Sequence, residues 1–240
     1  MPITSGIKEL DAILGGGFAE GTLCAVVGPP GAGTGIFAKQ FAAAGDEKSY
    51  YFSTSEGKEE VLDTIKRFGW RTDVNIVDIA DRYYDKILLK RLEVTRFRQE
   101  GVRMSDLRDY EDELYTGFNF LTFLTNEIFR IKPPFRVVVD ALDFFIDIYG
   151  VDEVLSALRT IKAFTGRNRG LMVVTVTRGV FDLRTQNSID ALVDTLIELE
   201  RERIGKKFDN NLIASKVKNY PERSRIMQYF IGQNGITLME

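Results

Sequence analysis

The chain has 240 residues, of which 44% are hydrophobic, and its formal net charge is −3. This size predicts one domain over residues 1–240 with a substantial core and excludes wholesale disorder. The acidic balance argues against nucleic acid as a partner. The sequence contains no histidine, which excludes a Ser-His-Asp triad and His-ligated zinc.

The N-terminal segment and the apolar runs bear on location. No apolar run approaches the ~20 residues that a membrane-spanning helix needs. The opening MPITSGIKEL lacks the basic-then-apolar layout of a signal peptide. Cys24 is the single cysteine and lies in an apolar run, where an inert core thiol is expected. We therefore expect a cytoplasmic protein that has no membrane partner.

Short apolar runs alternate with helical patterns over most of the chain. The helices are predicted at 36–45, 58–69, 117–131 and 151–165. The strands are predicted at 22–28, 49–55, 74–79, 135–142 and 170–177. Uninterrupted Val/Ile strands that alternate with helices are typical of an α/β fold, with a mostly parallel sheet covered by helices on both faces.

The pattern changes after residue 177, and the strands that follow are predicted without helices between them. Charged or Gly/Asn turns separate the apolar stretches, as in hairpins. The stretches are DTLIELERERIG (194–205), NNLIASKVKNY (210–220) and SRIMQYFIGQNGITLM (224–239). This arrangement predicts an antiparallel extension of the sheet at its C-terminal edge.

Residues 81–115 form a separate, densely charged excursion of mixed sign. Ile87, Leu88, Leu92 and Phe97 fall roughly on one helical face. The excursion can be a solvated helical segment. It can also be a mobile loop that contacts a partner, or a polymer threaded near a site.

A glycine-rich loop follows the first strand and leads into a helix. Gly28 and Gly33 have the spacing of the phosphate-binding pattern G-x-x-x-x-G-K-[ST]. Thr34 stands where that pattern has lysine, and Gly35 stands where it has Ser or Thr. The candidate binding residues of the loop are Gly28, Pro29, Pro30, Gly31, Ala32, Gly33, Thr34 and Gly35.

Backbone amides and the helix N-terminus can still hold a phosphate in such a loop. The missing ammonium and hydroxyl remove roughly 3–6 kcal/mol of binding, or about two to four decades of affinity for a magnesium triphosphate. Lys39 lies about one and a half turns into the helix and points the wrong way to replace the ammonium. The loop is therefore a turn that binds nothing, or a weak or magnesium-independent nucleotide site, and efficient hydrolysis is disfavoured.

The order of these motifs resembles the KaiC-like branch of the RecA superfamily of P-loop ATPases, with a degenerate Walker A motif. SGIKELDAILGGGF (5–18) is similar to that family's lead into the P-loop strand, and YYFSTSEGKEEVLDTIKRFGW (50–70) to its second strand and acidic pair. FRVVVDAL (135–142) resembles its Walker B strand, and residues 193–220 resemble its late hairpin. The resemblance implies a RecA-like fold.

The resemblance also implies roles for single residues. Asp140 matches the acid that holds the magnesium shell, and Glu56 is what remains of the catalytic glutamate pair, since the first position is Ser55. Lys216 and Lys218 match the residues that reach the γ-phosphate of a neighbouring subunit. The two lysines are equally well explained as charges that protect an edge strand from pairing. Glu56 is equally well explained as an acid at the start of a helix.

Three departures from the family pattern meet at one site: Thr34, Gly35 and Ser55. We expect a non-catalytic regulatory or assembly protein that forms homo-oligomers or joins an active paralogue. ATP or ADP would bind weakly, and magnesium binding, through Asp140, is in doubt. The alternatives are a weak ATP-binding protein or ATPase, and a RecA-like DNA-repair accessory.

Overall fold

The computed structural model describes residues 2–101, 118–205 and 207–239. The strands are β1 Thr22–Gly28, β2 Lys48–Ser53, β3 Asn75–Asp78, β4 Phe135–Asp140, β5 Leu171–Thr177, β6 Thr195–Ile204, β7 Lys207–Val217, β8 Arg225–Gly232 and β9 Gly235–Leu238. In these residues they form one sheet, in the order β3-β2-β4-β5-β1-β6-β7-β8-β9.

Helices connect the strands of the first half of the sheet. They are α1 Lys8–Leu14, α2 Thr34–Ala43, α3 Lys58–Arg67, α4 Ile79–Tyr83, α5 Leu89–Gln99, α6 Phe120–Phe129, α7 Asp143–Tyr149, α8 Val151–Arg167 and α9 Leu183–Leu192. A π turn, Tyr84–Leu88, joins α4 to α5, and a 3-10 turn, Pro221–Arg223, precedes β8. No helix of the described ranges is long and apolar enough to cross a bilayer.

The pairing of the strands confirms the predicted fold class. β1 pairs in parallel with β5 and β6, β4 with β5 and β2, and β2 with β3. From β6 onward the pairs are antiparallel, so the C-terminal strands extend the parallel sheet at one edge. The result is an α/β RecA-like arrangement.

Each face of the sheet carries its own apolar layer. Along β1, Cys24 and Val26 belong to the layer that includes Phe37 and Phe41 of α2. Leu23, the residue before Cys24, belongs to the opposite layer, which α6 and α8 cover. Side chains that alternate between two apolar layers explain why the parallel strands read as unbroken hydrophobic runs. Cys24 is buried, and burial raises the pKa of its thiol.

No helix was predicted between residues 177 and 194, where α9 connects β5 to β6. β6 is parallel to β1, and a parallel return needs a crossover connection, usually a helix. The segment is largely polar, and only Gln186 and Ile189 of the helix are buried. The signal was its N-cap, since Asp182 accepts a hydrogen bond of 2.8 Å from the amide of Thr185. The short helix α7 was not predicted either.

The charged excursion is helical as far as residue 99, and its residues 102–115 lie outside the described residues. The prediction that Ile87 and Leu92 share one apolar face of this segment is wrong. Ile87 and Val94 are buried, whereas Leu92 is 60% exposed. The π turn between α4 and α5 accounts for the shift, since it adds a residue to the turn and rotates the face that follows.

Candidate phosphate-loop site

The predicted site residues lie at the carboxyl ends of neighbouring strands. Gly28 ends β1 and pairs with Thr177 of β5, and Asp140 ends β4 and pairs with Ser53 of β2. Thr175 of β5 lies one pleat further in, beside Val26. Open α/β sheets bind ligands at this edge, where the loops after several strands converge.

The glycine-rich loop has the backbone shape of a phosphate cradle. Gly31 and Gly33 have φ angles of +83° and +93°, in the left-handed region that glycine adopts freely. The amide of Ala32 donates to the carbonyl of Pro29 at 3.1 Å, which closes the turn. Gly33 is the N-cap of α2 and offers no side-chain cap, so the first-turn amides face outward without an intrahelical acceptor. Backbone amides at a helix start in this arrangement are of the kind that suits an anion.

The antiparallel extension holds this loop in place. The hydroxyl of Tyr229 on β8 donates to the carbonyl of Ala32 at 2.5 Å. Burial raises the pKa of Tyr229 to about 12, so the hydroxyl remains a donor. Arg201 of β6 donates from Nη1 to the carbonyl of Gly31 at 2.7 Å and lies 3.9 Å from the centre of the Phe208 ring. The loop is therefore fixed by contacts within this chain.

The Asp140 carboxylate is hydrogen-bonded on both oxygens. Thr175 donates from Oγ1 to Oδ1 at 2.5 Å, and the Tyr51 hydroxyl donates to Oδ2. Burial, and then the neighbouring Asp140 charge, raise the pKa of Tyr51 well above its usual range. Tyr51 therefore stays protonated and keeps its hydrogen bond to the carboxylate. The main chain is fixed too, since the amide of Thr54 donates to the carbonyl of Asp140 at 2.8 Å.

Lys39, which the sequence reasoning set aside, lies at the floor of the site. Its Nζ is 2.9 Å from Oε2 of Glu56 and 3.9 Å from Oδ2 of Asp140, and its side chain is 3% exposed. The ammonium also lies 5.7 Å from the centre of the Tyr51 ring. A signal was present, because α2 is apolar around this lysine and a buried charge needs a partner.

Gly35 opens the space that Lys39 uses. A Cβ at this position would lie 3.2 Å from Oδ2 of Asp140 and 3.5 Å from Nζ of Lys39. A serine or threonine here would therefore place its Cβ against both the carboxylate and the ammonium. Thr34, at the preceding position, starts α2 and supplies no positive charge.

Lys216 and Lys218 make their contacts elsewhere. Nζ of Lys216 donates to the carbonyls of Asp190 and Ala191, at 2.9 and 3.1 Å, near the end of α9. Nζ of Lys218 lies 2.9 Å from Oδ1 of Asp194. Lys216 pairs with Leu196 of β6, which lies beside Ala25 of β1, three residues before the glycine that opens the phosphate loop.

The fold and the site together define a class. A parallel sheet whose first strand passes through G-x-x-x-x-G into a helix, with an acid at the end of a buried strand of the same sheet, is a P-loop domain of the RecA type. A family model described as "ATPase: KaiC" matches residues 3–240, and the chain belongs to the KaiC ATPase family.

Two similar proteins are consistent with this assignment. The circadian clock protein KaiC2 of Synechocystis sp. is 22% identical over 240 residues, which cover 98% of this chain and 39% of that protein. The chain thus spans about two fifths of the length of this curated relative. The crystal structure of the flagellar accessory protein FlaH from Methanocaldococcus jannaschii superposes with a TM-score of 0.70 at 15% identity, over 97% of this chain and 95% of that one. This likeness concerns the fold alone.

An ATPase family implies a nucleotide and a magnesium ion. The residues of this site suit the phosphates of a nucleotide better than they suit the ion. The loop amides and the start of α2 suit a phosphate. Magnesium needs oxygen ligands in near-ideal octahedral geometry. Within the described residues, no group of three or more acidic or cysteine side chains is arranged to hold a metal ion. Gly35 offers no hydroxyl, and the Lys39 ammonium lies 2.9 Å from Oε2 of Glu56 and 3.9 Å from Oδ2 of Asp140, where it repels a cation. The residues present do not fit magnesium.

Proposed function

We propose that this KaiC-family domain has lost ATP hydrolysis and works as a non-catalytic regulatory or assembly protein. One observation carries the proposal: the Lys39 ammonium lies against Glu56 and Asp140, beside the hydroxyl-free Gly35. The two carboxylates that the family uses for water and metal are thus paired with a side chain of the same chain.

Phosphoryl transfer depends on positive charge that neutralises the leaving and transferred oxygens, and on a base that orients water. Thr34 carries no charge. Glu56, the remaining candidate base, is held at 2.9 and 3.0 Å by Lys39 and would have to leave this pair to orient water. The missing charge and the paired base each raise the barrier to phosphoryl transfer, and both occur at the same site.

A second candidate function is weak binding of ATP or ADP. The observation in its favour is the uncapped start of α2 next to the left-handed Gly31 and Gly33. Amides aligned in this way stabilise a phosphate without any side chain. The affinity would be low because the ammonium at position 34 is missing.

The proposed setting is a cytoplasmic homo-oligomer, or a mixed assembly with an active paralogue, in which Lys216 and Lys218 approach a neighbour's nucleotide. For that role the two lysines would have to exchange their contacts with Asp190, Ala191 and Asp194 for a phosphate. No observation in the described ranges favours the DNA-repair alternative.

Calorimetric titration with ATP, with and without magnesium, tests the proposal together with a turnover assay and a native mass measurement. We expect no turnover above background, weak binding that magnesium does not strengthen, and an oligomeric mass. Glu56→Gln is the control, because activity that persists unchanged in this variant comes from a contaminant. Magnesium-dependent micromolar binding, or turnover that Glu56→Gln abolishes, would contradict the proposal.

A further inference from the structure

Lys39 is a buried charge on a helix that otherwise packs against the sheet. Its side chain is 3% exposed, and the neighbouring buried positions of α2 include Phe37, Ala38 and Phe41. An isolated ammonium in such a place is strongly disfavoured, so its position is set by the groups that neutralise it. Those groups are Glu56 and Asp140, which come from the ends of two neighbouring strands.

The surroundings of the ammonium are those of a cation site. Two carboxylates lie within 3.9 Å of Nζ, and the face of the Tyr51 ring lies 5.7 Å away. Gly35 lies directly beside this group, since a Cβ there would be 3.2 Å from Oδ2 of Asp140 and 3.5 Å from Nζ of Lys39. The Lys39 ammonium thus lies beside Glu56 and Asp140, the two acids that would otherwise face a divalent ion.

We propose that the Lys39 ammonium is a built-in replacement for a divalent cation, and that it makes the Asp140–Glu56 site independent of metal. The ammonium supplies one positive charge to two carboxylates and donates hydrogen bonds to Glu56. A divalent ion that entered would meet this positive charge at short range, since Nζ lies 2.9 Å from Glu56 and 3.9 Å from Asp140. Metal binding at this site is therefore suppressed by Lys39.

The inference concerns the same carboxylates as the proposed function, but it is tested without nucleotide. Turnover by the wild-type chain would overturn the proposed function and leave the metal measurement standing. Equal metal affinity with and without the Lys39 ammonium would overturn the role of Lys39, and the turnover assay would still decide the proposed function.

The experiment measures Mn2+ binding by electron paramagnetic resonance and calorimetry, with Mn2+ alone as the probe. Lys39→Met removes the charge and keeps a similar volume. Lys66→Met is the matched control, because Lys66 also pairs with a carboxylate, Asp63, at 3.3 Å, but both side chains are exposed. Lys39→Met with Glu56→Gln removes the ammonium and one acid together.

We expect Lys39→Met to bind Mn2+ at least tenfold more tightly than the wild type, and Mn2+ to raise the midpoint of its thermal unfolding. The wild type, Lys66→Met and the double variant should show neither effect. Lys39→Gln, which retains a donor for Glu56, serves the same comparison if Lys39→Met does not fold. Equal Mn2+ affinity in the wild type and a folded Lys39 variant would overturn the proposal.

Discussion

At the scale of single residues, the Asp140 carboxylate is held by side chains from separate elements. Thr175 comes from β5, Tyr51 from β2 and Lys39 from α2. The sequence predicted Asp140 itself, because an acid after a buried apolar strand stands out. Its three neighbours were not predicted as a group, since their contacts depend on which strands are adjacent.

Tyr51→Phe should lower the free energy of unfolding by about 1–3 kcal/mol, because it removes a hydrogen bond from a buried carboxylate. Tyr50→Phe is the control, since Tyr50 is partly buried in the same strand and its hydroxyl has no hydrogen-bond partner among the described residues. The change there should stay within about 0.5 kcal/mol. Urea denaturation measures both variants. Equal losses would show that the hydroxyl of Tyr51 contributes nothing specific.

At the scale of elements, the C-terminal hairpin β8–β9 is attached to α2 through Gln40. The Gln40 amide donates to the carbonyls of Gly6 and Ile236, at 2.9 and 3.2 Å, and accepts from the amide of Ile236 at 2.8 Å. Buried polar groups are hydrogen-bonded in folded proteins, and Gln40 satisfies backbone groups of two other segments at once. The same hairpin carries Tyr229, which holds the phosphate loop.

Gln40→Ala should destabilise the protein by about 2–4 kcal/mol, because it leaves several buried backbone groups unpaired. The loss should appear first as faster amide hydrogen exchange in β9. Gln228→Ala is the control within the hairpin, since Gln228 makes an exposed hydrogen bond to Asp209. Unchanged exchange in β9 of the Gln40 variant would contradict this attachment.

The elements were predictable to different degrees. Strands that alternate between two apolar layers gave clear signals, as did the amphipathic helix α3, and their predicted bounds differ from the structure by a few residues. The helix α9 was missed because its buried face is small and its polar residues resemble a turn. Local propensity does not indicate that β6, the strand after α9, is parallel to β1. A parallel strand needs a crossover connection, which is usually a helix.

At the scale of the whole molecule, Asp194 joins the parallel sheet to its antiparallel extension. Its Oδ2 accepts from the amide of Leu23 on β1, and its Oδ1 lies 2.9 Å from the ammonium groups of Lys162 on α8 and Lys218 after β7. Burial raises the pKa of Asp194, but the hydrogen bonds from Lys218, Lys162 and Leu23 together outweigh burial and lower it.

This lowered pKa makes a prediction about pH. A carboxyl whose pKa is lower in the folded state stabilises the protein above its unfolded pKa of about 3.9, and this contribution is lost as the pH falls through the folded pKa. Asp194→Asn should therefore cost about 1–3 kcal/mol at pH 7, and the difference from the wild type should shrink below about pH 4. Chemical denaturation across this range measures the difference.

Asp46→Asn is the control for this experiment, because Asp46 is fully exposed and lies 3.6 Å from Arg71. A surface ion pair of this kind contributes about 0–1 kcal/mol, so its variant should track the wild type closely at every pH. A difference between Asp194→Asn and the wild type that stays constant down to pH 2 would mean that the Asp194 charge is not responsible.

The sequence by itself determined the alternation of strands and helices, the cradle of glycines, and the absence of lysine and hydroxyl at positions 34 and 35, because these depend on short-range periodicity and spacing. Only the tertiary structure decided where Lys39 points, what surrounds Asp140, and which groups Lys216 and Lys218 contact. Lys39, Glu56 and Asp140 meet because β2 lies beside β4 while α2 packs across the sheet. Contacts between residues so distant in the chain follow from strand order, which local sequence patterns do not encode.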